Sequence, residues 1–138
     1  MPLEGARMKP RAAALLLWNE GWLNAENLMI MVAVAMAESQ LFTKAWNFNP
    51  PTSRNPKGSY DWGWLQLNDG GLQGAEQEKF KAMACDPVKA TQHARPMYEQ
   101  RQFQPWAAYN SGAWEEYIPE ASVGVANMLR EKWGVTLL

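Results

Sequence analysis

The longest uninterrupted apolar stretch runs from Leu28 to Ala37, Leu-Met-Ile-Met-Val-Ala-Val-Ala-Met-Ala, and stops at Glu38. It is too short to span a bilayer. Apolar on every side, it reads as a helix buried on all its faces. Asn24 suits the N-cap of that helix and Glu26 its positive first turn, while Leu23 and Leu28 have the spacing of a hydrophobic staple. A preceding helix is predicted from about Pro10 to Glu20, with proline in its first turn and Gly21 at its end. The polar stretch 47–60, NFNPPTSRNPKGSY, carries three prolines and a glycine and reads as a loop. Asp61–Asn68 reads as a short strand-like or irregular segment, and Asp69-Gly70-Gly71 as a turn. Helical spacing returns at about Ala75–Ala84, with Phe80, Met83 and Ala84 on one face. Asp86-Pro87 then starts a helix bearing Ala90, Ala94 and Met97, which Pro96 should kink or split. Phe103–Asn110 is an aromatic-rich connection, and a last helix is predicted over roughly Pro119–Lys132, with Ala121, Val125 and Met128 inward. The pattern predicts an α+β, predominantly α-helical fold with a buried central helix and a small loop-and-strand region at 47–71.

Length changes this picture little: 138 residues suit one domain with a core of its own. One cysteine, Cys85, leaves no intrachain disulfide, so stability rests on packing. The net charge of -1 argues against a general nucleic-acid binder, which needs a basic face. No signal peptide is convincing: Ala12–Trp18 follows Arg7, Lys9 and Arg11, but Asn19 and Glu20 replace a small-residue cleavage site. Eight tryptophans are a surplus, and flat indole faces suit the C–H faces of sugars. Trp18, Trp22 and Trp133 are assigned to the core; Trp62, Trp64, Trp106 and Trp114 are candidates for a cleft.

Glu38 carries the most information. Poor solvation and the negative end of the helix dipole both favour its protonated form, which suits a general acid working near neutral pH. A helix-end glutamate reaching into water is the bland alternative, and the motifs around Glu38 weigh against it.

Glu38-Ser39 followed by Ala45 and Asn47 matches the E-S-x5-A-x-N pattern of soluble-type lytic transglycosylases. Asp61-Trp62-Gly63-Trp64-Leu65-Gln66-Leu67-Asn68 resembles the D-Y-G-x-x-Q-x-N signature of animal-type lysozymes and phage lysozyme-like domains. Ala108-Tyr109-Asn110-Ser111-Gly112 resembles the A-Y-N-x-G motif of the transglycosylases. The three occur in the family's order, and the resemblance to the lysozyme-like superfamily covers about residues 10–118. It implies a single lysozyme-like catalytic domain acting on peptidoglycan strands, with Glu38 as the acid that protonates the glycosidic oxygen. It further implies that Ser39 holds the turn after the helix at the edge of the site. Asn47, Trp62, Trp64, Gln66, Asn68 and Trp106 would line the substrate cleft, and Tyr109 and Asn110 would lie close to the acid. Tyr109-Asn110 also reads as a helix start with an asparagine cap.

The reaction turns on a second carboxylate. Asp61 takes the aspartate position of the lysozyme signature, and a loop role is an equal reading of it. A regular strand would put Trp62, Trp64, Gln66 and Asn68 on one face and Asp61 on the other, so a shared cleft requires a turn or bulge near Gly63. With Asp61 opposite Glu38, water is the final acceptor and the activity is a muramidase. Without it, the C6 hydroxyl of the muramyl residue attacks, as in a lytic transglycosylase. The first is favoured slightly.

Other chemistries lack parts. One histidine, His93, and one cysteine make no metal cluster, no cofactor motif is present, and Cys85 with His93 lacks an orienting third group. A non-catalytic glycan-binding or phage-tail structural domain is the alternative of another class. The similarity to phage tail and lysis domains implies a virion or infected host as its setting. A monomer with no membrane or nucleic-acid partner is expected.

Overall fold

The computed structural model describes residues 1–134. Helix α1 is Pro10–Asn19 and α2 Ala25–Ser39; strands follow as β1 Trp46–Asn49, β2 Ser59–Trp62 and β3 Leu67–Asn68. Helices α3 (Gly74–Ala84), α4 (Pro87–Arg101) and α5 (Ala107–Asn110) lead into a 3-10 turn, Ala113–Tyr117, and the last helix α6, Ile118–Trp133.

The apolar run is the central helix α2. Leu28, Met31, Val32, Ala33, Val34, Ala35 and Met36 are all buried, and α1, α5, the 3-10 turn and α6 pack around it. The cap works as the sequence predicts: Asn24 Oδ1 accepts the Asn27 N–H at 3.0 Å. Asp86 Oδ1 accepts the Lys89 N–H at 3.0 Å and starts α4 in the same way. Leu23, by contrast, is 60% exposed, so it does not staple down over Leu28. Pro96 does not split α4, which continues to Arg101. Position 96 is exposed, so the helical carbonyl it leaves without a donor can be met by water.

Besides α5 and the 3-10 turn, two further elements lie where the sequence reading placed none. Residues 46–49 form β1 inside the expected loop, and the antiparallel sheet has the order β1-β2-β3. The segment before α1 runs antiparallel to residues 41–44. The Met8 N–H donates to the Leu41 carbonyl, Thr43 N–H to Ala6 and Lys44 N–H to Glu4, each at 2.9 Å.

The sheet has two unlike faces. Its register pairs Asn47 with Asp61 and Asp61 with Asn68. Alternation therefore puts Asn47, Asn49, Ser59, Asp61 and Asn68 on one face and Trp46, Phe48, Tyr60, Trp62 and Leu67 on the other. The aromatic rings pack together, Tyr60 stacking on Trp62 with centroids 4.8 Å apart. The reversal from β2 to β3 begins at Gly63, φ +82°. A Cβ there would lie 1.9 Å from the Ala84 carbonyl oxygen at the end of α3, so only glycine permits the approach.

Candidate active site

Glu38 is the penultimate residue of α2, and the chain leaves that helix through an unusual turn. Gln40 and Leu41 both take positive φ, 52° and 65°. Ser39 holds this turn. Its hydroxyl donates to the Trp64 carbonyl at 2.7 Å, has the Ala35 carbonyl within reach at 3.1 Å, and accepts the Leu41 N–H at 3.1 Å. The result joins the end of α2 to the β2–β3 reversal.

The Glu38 carboxyl is half-buried. Its Oε1 accepts the Ala108 N–H at 2.8 Å. Ala108 lies in the first turn of α5, where backbone N–H groups have no partner within the helix. Burial pushes the Glu38 carboxyl above its ordinary range, the Ala108 bond opposes that, and the negative charge of Asp61 adds to the upward push. The chain does turn at 63–66, which leaves Asp61 and Asn68 on one face of the sheet, but Gln66 does not share that face with them.

Asp61 is fixed from both sides. Asn49 Nδ2 donates to its Oδ2 at 3.0 Å and Asn68 Nδ2 to its Oδ1 at 2.9 Å. Asn68 Nδ2 also reaches Ser59 Oγ at 3.0 Å, and Asn47 Nδ2 donates to Asn49 Oδ1 at 3.2 Å. The polar face of the sheet is thus one amide network around a carboxylate. It offers hydrogen-bonding groups to a ligand on that face, while the Glu38 carboxyl is held at the end of α2.

Several residues expected in the cleft are elsewhere. Trp64 is fully buried, its Nε1 donating to the Pro87 carbonyl at 3.3 Å, and Trp106 is 2% exposed, donating to the Leu65 carbonyl at 2.9 Å. Trp62 lies on the aromatic face, away from Asp61, with its Nε1 on Asp69 Oδ2 at 3.2 Å. Gln66 is buried and its amide donates to the carbonyls of Ala45 and Gly63 at 3.1 and 2.9 Å, so it ties the reversal together instead of reaching solvent. Ser39 is buried and committed to backbone. Asn110 ends α5 and does not cap its start; its amide donates to the Gln104 carbonyl at 2.8 Å. Tyr109 is half-buried beside Ala108, its ring stacked on that of Trp114 with centroids 5.7 Å apart.

The tryptophans assigned to the core also divide. Trp22 is buried, but Trp18 is half-exposed and Trp133 is 56% exposed, the two meeting edge-on at the surface with centroids 5.0 Å apart. Asn49, Ser59 and the Ala108 amide were missed. The alternation Trp-Asn-Phe-Asn at 46–49, mirrored by Ser-Tyr-Asp-Trp at 59–62, was the signal that could have revealed Asn49 and Ser59. Nothing in the sequence marks a backbone donor such as that of Ala108. Asp69, read as a turn residue, is a buried clamp whose oxygens accept from the Tyr60 and Gly71 N–H groups and the Trp62 indole. Cys85 and His93 do not form a catalytic pair: burial pushes the Cys85 thiol up, and the exposed His93 ring packs edge-on against Phe80. Among the described residues, no group of three or more histidine, cysteine or acidic side chains is arranged to hold a metal ion, and no helix is long and apolar enough to cross a membrane.

Residues 19–108 match a family model described as a lysozyme-like domain. No curated protein and no solved structure matches the chain.

Proposed function

The chain belongs to the lysozyme-like domain family, and from that premise we propose that it is a muramidase acting as a single catalytic domain. It cleaves the β-1,4 bond between N-acetylmuramic acid and N-acetylglucosamine in peptidoglycan. The observation that carries this reading is a half-buried Glu38 whose Oε1 accepts the Ala108 N–H and whose proton affinity burial raises, in a chain that also holds Asp61 in an amide network on the sheet. Glu38 protonates the glycosidic oxygen as the bond to the leaving sugar breaks. Asp61 balances the positive charge that develops on the cleaved ring, and water completes the hydrolysis with Glu38 now acting as base. Asn47, Asn49 and Asn68 offer the amides that would orient the sugar's polar substituents, and the Tyr109–Trp114 pair offers a partly exposed aromatic surface to one of its flat faces.

A second reading, a lytic transglycosylase, is favoured by one feature. Tyr109, within an A-Y-N-x-G sequence, adjoins the residue that holds Glu38. The two reactions differ in their products. Peptidoglycan digested by this chain and by a Glu38→Gln variant, followed by mass spectrometry of the soluble fragments, separates them. Reducing muramic ends support the muramidase. Ends lighter by one water support the transglycosylase. Wild type that binds peptidoglycan and releases nothing favours a glycan-binding domain and overturns both.

A further inference from the structure

A cationic cleft lies beside the loop that joins β1 to β2. The loop between β1 and β2 and the turn after β3 enclose about 330 Å³ between Arg54, Lys57, Gly58, Gly71 and Gln73. The loop has its own framework. Thr52 N–H and Gly58 N–H both donate to the Asn55 carbonyl, at 3.0 and 2.9 Å, and Asn55 N–H donates to Thr52 Oγ1 at 3.1 Å. It sits close against the turn, since a Cβ on Gly71 would lie 3.1 Å from Asn55 Oδ1 and 3.3 Å from the Gly58 carbonyl oxygen. Arg54 and Lys57 are exposed, and neither is in an ion pair among the described residues. The neighbouring carboxylate, Asp69, is buried with its oxygens taken by the Tyr60 and Gly71 N–H groups and the Trp62 indole. Two cations on an ordered loop therefore stand unneutralised on a chain whose net charge is -1.

We infer that this cleft binds a carboxylate of the peptide stem carried by the substrate. The inference rests on the peptidoglycan reading above. Its support is charge complementarity and spacing. Gly58, directly before β2, lies three residues from Asp61, about 10 Å by the rise of an extended chain. That is on the scale of a disaccharide. Muramyl residues recur once per disaccharide and bear the stems, so a strand cut beside Asp61 brings its next stem to Arg54 and Lys57. Exposed cations of this kind add affinity in modest steps and screen with salt.

The test compares binding of soluble muropeptide chains with binding of the same chains stripped of their stems by an amidase. It uses the wild type and an Arg54→Ala/Lys57→Ala variant. The double variant should bind stem-bearing chains about tenfold more weakly at low salt and stripped chains unchanged. Amidating the stem carboxylates should bring the wild type to the variant's level. Equal affinity of the wild type for stem-bearing and stripped chains overturns the inference. So does a variant whose loss appears only on walls that retain phosphate-rich polymers, because the anion would then be a phosphate. A wild type that binds stem-bearing chains through these two residues and cleaves none overturns the glycosidase reading alone.

Discussion

Asn68 faces Asp61 across the β2–β3 pair and donates to its Oδ1 at 2.9 Å, while Asn49 engages Oδ2 from the opposite strand. A carboxylate on the middle strand is thereby pinned by both neighbours, and its charge adds to the proton affinity of Glu38. Asp61→Asn removes that charge with little change of shape. The basic limb of the pH profile of kcat/KM should move to lower pH, and the rate of hydrolysis should fall. A limb that stays in place would show that the two groups do not interact.

Glu38→Gln should lower activity by about 100-fold to 10,000-fold, the span of a lost general acid, and should alter stability in a pH-dependent way. Burial raises the folded-state pKa of Glu38 above its ordinary value of 4.5. Folding therefore favours the protonated form, and the stability it confers is present below that value and lost as pH rises through the raised pKa. The variant should melt at the same temperature as the wild type, or slightly lower, in acid, and the difference should shift in the variant's favour as pH rises. Melting curves between acidic and neutral pH test this; a difference independent of pH would contradict it.

Gly63→Ala should be among the most damaging single-methyl additions in the chain. The new Cβ meets the Ala84 carbonyl oxygen at 1.9 Å, and the backbone holds φ +82°. Backbone would have to move, at a cost of about 3 kcal/mol or more. Urea titration measures the loss. A variant within about 0.5 kcal/mol of wild type, the range of ordinary surface changes, would mean that α3 and the β2–β3 reversal are less rigidly opposed than described.

Gln40→Gly should stabilise the protein by up to about 1 kcal/mol, because Gln40 caps α2 in the left-handed region that glycine occupies without strain. Ser39→Ala should do the reverse, by about 1–3 kcal/mol, since it leaves the Trp64 carbonyl and the Leu41 N–H without their buried partner. If Ser39 chiefly fixes the turn behind the acid, its loss should lower kcat more than it raises KM.

The sequence makes α2 legible because its run is apolar at every position and its cap, Asn24, is local. Glu38 is legible for the same reason: a charged residue ending such a run has an environment set by the run itself. β1 is obscured by its shortness and by the prolines that follow it, and with it goes Asn49. Trp64 and Trp106 show the opposite difficulty. An indole with one N–H can satisfy it on a buried carbonyl as readily as stack on a ligand, and only tertiary packing decides between them. Gln66 illustrates how a motif residue near a cleft can serve the backbone beneath it: both of its amide bonds go to carbonyls that close the reversal. The strap of residues 4–8 against 41–44 is non-local and carries no periodic signature.

On the reading of Glu38 as the acid, the bond from Ala108 also gives its proton an address. Oε1 of Glu38 is already an acceptor, pointed at a backbone N–H that no substitution other than proline at position 108 removes. A protonated Glu38 therefore carries its hydrogen on Oε2. Delivery is handed: a glycosidic oxygen brought to Oε2 meets a donor, whereas one brought to Oε1 meets a lone pair already in use. On the reading proposed above, the orientation in which a glycan strand is cut would be selected partly by the main chain of α5, and proline at position 108 or a shift of that helix would relax it.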